Sequence, residues 1–250
     1  MTVCWLQAAT YEEVAALDRR RAVAVVPLGA TEAHGPHLPL STDVIIVEAM
    51  ARAGAERLSR QGVTVLVLPT VALTPAPFAA DFAGTLSTRP ATLVALLEDV
   101  ADALAAQGFT RLVFLSAHLD PEHLGAVREA VETIRTDGLR VAFPELSRKP
   151  WSLRLGEEFQ TGACHAGRFE TSIVLAERPD LVRDVRRELA PNPNSLSVAI
   201  RAGQATFAEA GGPRAYFGWP ADATAEEGRT LIDALGGILA EAALPLLQDD

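Results

Sequence analysis

The stretch AVAVVPLGATEAHGPHLPLSTD, residues 22–43, changes character after its eighth residue. Residues 22–29 are almost wholly apolar and rich in valine, with no polar alternation. Such a run fits a strand covered on both faces, the usual state of a strand in a parallel sheet. The remainder gathers Glu32, His34, His37 and Asp43 with two prolines and Gly35 in a chain that has only five histidines. A strand that gives way to a polar, stiffened loop is the pattern of an α/β protein whose working groups sit at the carboxyl ends of its strands.

The same pattern recurs along the chain. TVLVLPTV (64–71), RLVFLSAH (111–118) and LRVAFPEL (139–146) read as further buried strands. Helical periodicity lies between them. Val47, Met50, Ala51, Ala55 and Leu58 share one face of 44–60. Leu93, Leu96, Leu97, Val100 and Leu104 do so in 91–107, and Leu124, Val127, Val131 and Ile134 in 122–136. A last helix follows Thr224 and Glu227, which suggest a capping box. Strands alternating with helices predict a parallel sheet with helices on both faces. No repeat or linker composition divides the 250 residues, so one domain is expected.

Composition narrows the function. A formal net charge of −10 disfavours the nucleic-acid backbone as a partner. No signal peptide and no membrane span are evident in the sequence. Cys4 and Cys164 match no metal or redox spacing, and the expected setting is cytoplasmic.

The polar residues form three groups. Glu32 and His34, two apart, point to the same side of an extended backbone. The intervening Gly-Pro-His-Leu-Pro-Leu is stiff before Asp43. His118 and Asp120 repeat the two-residue spacing after the 111–118 strand, and the two clusters face one another if those strands are neighbours. His165 and Glu170 form the third group, within CHAGRFETS (164–172). Imidazole and carboxylate together suit Zn, Mn or Fe. Plain structural readings stand beside this one. Asp43 or Thr42 fits the N-cap of the 44–60 helix, Glu32 and His34 fit a surface pair, and Asp120 before Pro121 fits an N-cap. His37 reads as loop packing and His123 as an exposed helix start. Seven candidate ligands suffice for two divalent ions with a bridging carboxylate, and a hydroxide between them would be nucleophilic near neutral pH. His165 could then give a proton to a leaving nitrogen.

PLGATEAHGPHLPLSTD and CHAGRFETS resemble two signatures of the creatininase (creatinine amidohydrolase) family. DFAGTLSTRPATL (81–93) and GWPADATAEEGRTL (218–231) resemble two further stretches of that family, in the same order. The resemblance implies a single-domain, three-layer α/β/α fold with a mostly parallel central sheet. It implies a dinuclear centre of Zn and/or Mn, with Fe as an option, and hydrolysis of a C–N bond by a metal-bridging hydroxide. It places Glu32 and His118 on one ion, His34 on the other and Asp43 between them. Either Asp120 or Glu170 completes the ligand set of the second ion, and His165 and Glu170 carry the catalytic roles. The implied substrate is a small cyclic amide, formamide or related molecule. The alternatives are a peptidase acting on a modified peptide, as in the mycofactocin-precursor branch, or a non-catalytic metal-binding scaffold. A homo-oligomer, with a hexamer favoured, is implied as well. The chain departs from the family at Ala33 (usually Gln), at Leu119, Asp120 and Pro121 after the third-strand histidine, and at Phe78 and Ala79 (often Glu-His). It also departs at Ala83 (usually Pro) and at Thr161, where creatininase has Trp. These changes make the pocket wall more apolar and argue against creatinine as substrate.

Overall fold

The computed structural model describes residues 2–136 and 138–248. Among these residues five parallel strands form one sheet: β1 (Thr2–Trp5), β2 (Ala22–Leu28), β3 (Thr64–Val67), β4 (Arg111–Ser116) and β5 (Arg140–Ala142). Their order is β1-β3-β2-β4-β5. In register, Val25 lies beside Val67 on one side and Val113 on the other, and Leu28 lies beside Ser116. β1 had no period to betray it, being four residues at a sheet edge. The 64–71 and 139–146 runs form shorter strands than the apolar residues suggest. After Val67 only the isolated pair Leu28–Val71 continues the ladder.

Among the described residues eight α-helices accompany the sheet: α1 (Tyr11–Ala15), α2 (Thr42–Arg60), α3 (Pro90–Ala106), α4 (Pro121–Thr136), α5 (Gly156–Thr161), α6 (Arg168–Glu177), α7 (Leu196–Arg201) and α8 (Ala225–Ala243). The strict alternation of strand side chains sorts them into layers. Val23, Val25, Val65, Val67, Val113 and Leu115 point to the face covered by α2, α6 and α8. Ala22, Ala24, Val26, Leu28, Leu112 and Phe114 point to the face covered by α3 and α4. Every residue of β2 is therefore buried, which accounts for its unbroken apolar run.

The order of connections creates the site. The chain leaves β2 through α2 in one layer and leaves β4 through α4 in the other. The loops after these neighbouring strands thus diverge, and a crevice opens between them at the sheet's carboxyl edge. One local expectation needs correction. Thr224 does cap α8 by accepting from Glu227 N (3.1 Å), but Glu227's carboxylate turns to Ser172 Oγ (3.0 Å) and Arg168, so the reciprocal half of the box does not form. A complete capping box instead starts α1, at Thr10 and Glu13. α8 and its C-terminal turn are long and apolar enough to cross a membrane by composition, yet Leu231, Leu235, Ile238 and Leu239 are packed in the core.

Candidate metal centre

Glu32 and His34 lie on the loop after β2, and Asp43 in the first turn of α2. No side chain caps α2: Ser41 occupies the cap position without a capping bond, and Thr42 donates to Pro39 O. The Asp43 carboxylate turns inward, where the positive helix N-terminus favours it. His118 follows β4 across the crevice. His165 precedes α6, and Glu170 sits in the first turn of that helix. All six side chains are buried.

Each histidine is oriented by a backbone carbonyl. His34 Nδ1–H donates to Glu32 O (3.2 Å), His118 Nε2–H to Pro75 O (2.8 Å) and His165 Nε2–H to Ala33 O (2.9 Å). A carbonyl only accepts, so these bonds fix the tautomers and leave the other ring nitrogen facing the carboxylates. His34 Nε2 lies 3.3 Å from Asp43 Oδ1 and 3.5 Å from Glu170 Oε2. His118 Nδ1 lies 3.1 Å from Asp43 Oδ2 and 3.3 Å from Glu32 Oε1. Asp43 therefore offers one oxygen to each side. Three overlapping groups have donor atoms mutually within 4.8 Å: Glu32–Asp43–His118, His34–Asp43–Glu170 and Glu32–His34–His165.

Electrostatics describe a site that demands positive charge. Glu32 Oε2, His34 Nε2 and Asp43 Oδ2 are buried without a hydrogen bond among the described residues. Lone pairs this close repel unless a proton or cation lies between them. With protons alone, burial opposes charge on His34, but Asp43, Glu170 and Glu32 outweigh it and push its pKa up to about 10. His118 rises likewise, against burial, through Glu32 and Asp43. Burial raises Glu170 to about 8. Burial and the charge of His34 lower His165 to about 4, so it is neutral at pH 7. Unpaired buried acceptors and a hard oxygen–imidazole donor set fit a divalent transition metal.

Asp120 stands apart from this donor set. Its Oδ1 accepts from Glu122 N (2.9 Å) and its Oδ2 from Phe78 N (3.2 Å), so both oxygens serve backbone groups. Glu170 instead reaches the cluster, with Oε2 also accepting from Ala166 N (2.6 Å). His37 packs in the loop as expected, bonded through Nε2 to Thr171 Oγ1 (3.0 Å). His123 is fully buried rather than exposed. The start of α4 lies under His118, and His123 Nε2 meets Ser116 Oγ at 2.8 Å.

Sequence reading missed one supporting carboxylate. Glu158, on α5, is 4% exposed and accepts three backbone N–H groups: Arg168 (2.8 Å) and Trp219 (2.7 Å) on Oε1, and Phe169 (2.6 Å) on Oε2. It thereby ties the start of α6, which carries Glu170, to the 218–222 loop. Gly167 and Gly218 signal this packing, because a Cβ at either position would strike Glu158. Glu32, Asp43, His118, His165 and Glu170 line a cavity of about 450 Å³. Its walls include Phe78, Leu119, Phe159, Ile200 and Phe207, with the Phe207 ring 4.2 Å from that of His165.

Fold and cluster together define an α/β protein with a buried carboxylate–imidazole centre, suited to cations, at the switch point of its sheet. The family model for creatininase (creatinine amidohydrolase) matches residues 7–243. The mycofactocin precursor peptide peptidase of Mycobacterium tuberculosis is 34% identical over 219 residues, covering 84% of this chain and 80% of that protein. The creatinine amidohydrolase of Pseudomonas putida is 27% identical over 175 residues, covering 64% of this chain and 66% of that one. A protein of Bacteroides fragilis, assigned as a creatinine amidohydrolase, has a crystal structure that matches with a TM-score of 0.75 and 26% identity, covering 99% of this chain and 97% of that one. The manganese form of creatininase shares the fold at a TM-score of 0.71 and 24% identity, covering 96% of this chain and 97% of that one. The chain belongs to the creatininase family, whose members are hydrolases of non-standard amide bonds.

Proposed function

We propose that this protein is a metal-dependent amidohydrolase cleaving a C–N bond in a short peptide or peptide-like amide. The observation that carries the reading is Asp43, whose two oxygens face His34 and His118 separately. Glu32 and His118 would hold one divalent ion, His34 and Glu170 the other, and Asp43 both. Such ions, when bound, polarise an amide carbonyl and acidify water. His165 is neutral and aims Nδ1 at the cluster, 3.9 Å from Glu32 Oε1. It is placed to take a proton and deliver it to the leaving nitrogen. Glu170 holds the start of its own helix through Ala166 N and so keeps its carboxylate on the cluster. Phe78 and Phe207 give the cavity an apolar wall, with Phe207 packed on the His165 ring.

Two observations favour a peptide-like substrate over a small ring. The cavity far exceeds the space of one five-membered ring. The mycobacterial relative, named as a precursor-peptide peptidase, is also similar over more of the chain than the creatinine amidohydrolase is. The reading extends to an assembly of several copies in the cytoplasm. Elemental analysis and a chelation–reconstitution cycle test it. About two Zn or Mn per chain and hydrolysis of N-acyl peptides restored by metal are expected. Less than about one ion per chain, with no effect of chelation, refutes it. Hydrolysis of lactams or formamides with peptides left intact selects the small-ring reading. Undiminished activity in His165→Ala removes His165 from the chemistry.

A further inference from the structure

Lys149 is the only lysine in the sequence, and it lines the cavity. Arg201, the last residue of α7, lines it too. Both are exposed to solvent on the rim of that space, and neither makes an ion pair or side-chain hydrogen bond among the described residues. Glu145, the nearby buried carboxylate, is already committed to Arg128 (2.9 and 2.8 Å), Ser147 (2.8 Å) and Arg148 (3.1 Å). The carboxylates that line the cavity are committed as well. Glu32, Asp43 and Glu170 belong to the cluster, and Asp120 serves two backbone groups. The cavity lining thus combines the acidic, cation-seeking cluster, apolar walls and two exposed, unmatched cations, in a protein of net charge −10.

Cations left without a partner in a binding cavity are complementary to an anion brought by the ligand, and charge-assisted bonds to a carboxylate are the strong ones. We infer that Lys149 and Arg201 recognise a carboxylate on the substrate. The substrate class is then an apolar, carboxylate-bearing amide of about dipeptide size. This inference rests on the amidohydrolase reading for its chemistry but not for its binding test.

The sole lysine makes that test direct. The full chain is reductively methylated in the presence of N-acetyl-Leu-Phe or of N-acetyl-Leu-Phe amide, and mass spectrometry separates Lys149 from the N-terminal amine, the internal control. The acid should protect Lys149 and the neutral amide should not. In a parallel arm, the ratio of kcat/KM for acid over amide is measured on metal-loaded protein. Lys149→Gln and Arg201→Gln should each lower it by roughly 10- to 100-fold, the worth of one hydrogen bond to a charged group. Arg148→Gln, whose guanidinium already pairs with Glu145, should leave the ratio unchanged. Equal protection by both probes, or by neither, overturns the inference, as does a ratio unmoved by both variants. Protection by the acid without hydrolysis of either probe upholds the carboxylate site and counts against the amidohydrolase reading alone.

Discussion

Replacing Glu158 with alanine removes the one group that receives Arg168, Phe169 and Trp219 N–H. Each bond to a charged acceptor contributes about 1.5–3 kcal/mol net, so three amount to roughly 4.5–9 kcal/mol. Against this stands the cost of holding a carboxylate away from water. Burial raises the pKa of Glu158 even though three donors pull it down. A net loss of about 3–5 kcal/mol is expected, the range seen when one partner leaves a buried charged network. Glu158→Gln keeps an acceptor for Arg168 and Trp219 but turns an NH₂ toward Phe169 N–H, for a loss of about 1–3 kcal/mol. Urea unfolding measures both values. Both variants also release the start of α6, and with it Glu170 and His165. A displacement of 1 Å there lowers the rate about 100-fold. Metal content and kcat on folded protein measure this second effect. If Glu158→Ala lies within about 0.5 kcal/mol of the parent, the bond accounting fails. If it is destabilised as expected yet keeps full metal content and rate, Glu158 braces the fold alone, and the positioning argument is refuted.

Other perturbations follow from the same geometry. Asp43→Asn preserves shape but removes the charge that both donor groups share. Metal affinity should fall at least about 100-fold, as read by chelator competition. His37 is buried neutral, and burial and then the charge of His34 lower its pKa to about 4. A base with a depressed folded pKa contributes stability that is full above its unfolded value of 6.5 and is lost as pH falls toward 4. About 3 kcal/mol should therefore disappear over that window, and His37→Asn should flatten the curve of unfolding free energy against pH by that amount. Gly218 has φ +82° and packs on Glu158, so Gly218→Ala meets both strain and a clash. A loss above about 2 kcal/mol, with lower metal content from the shifted α6, is expected from thermal unfolding and elemental analysis.

The sheet and its long helices were legible because their signals are local. The unbroken apolar run of β2 and the leucine stripes of α3 and α8 carry the pattern that burial imposes, although Leu96, read into the α3 stripe, is exposed. The pairing of β2 with β4, on which the joining of two polar clusters depended, could only be supposed, because strand order is a long-range property. Glu32, His34, Asp43 and His118 stood out by residue type and by position after strands. Asp120 and Glu170 could not be separated, since their side-chain directions depend on how α4 and α6 begin. Asp120 is drawn to Phe78 N, a partner forty-two positions earlier in the chain. His123 misled for a related reason: a polar residue in a first helical turn is ordinarily solvated, and only the overlap of α4 with the end of β4 buries it. Glu158 had no motif, and its role becomes visible only when Gly167 and Gly218 are seen against it.

The divergence of the chain at β2 and β4 bears on stability as much as on chemistry. Asp43 is anchored to one helical layer, while His118 stands at the root of the other. Ions gripped by both would rivet the two halves together across their seam, and their occupancy would enter the folding equilibrium by mass action. Starving the protein of metal should thus loosen the whole molecule, with the melting temperature following free-ion concentration.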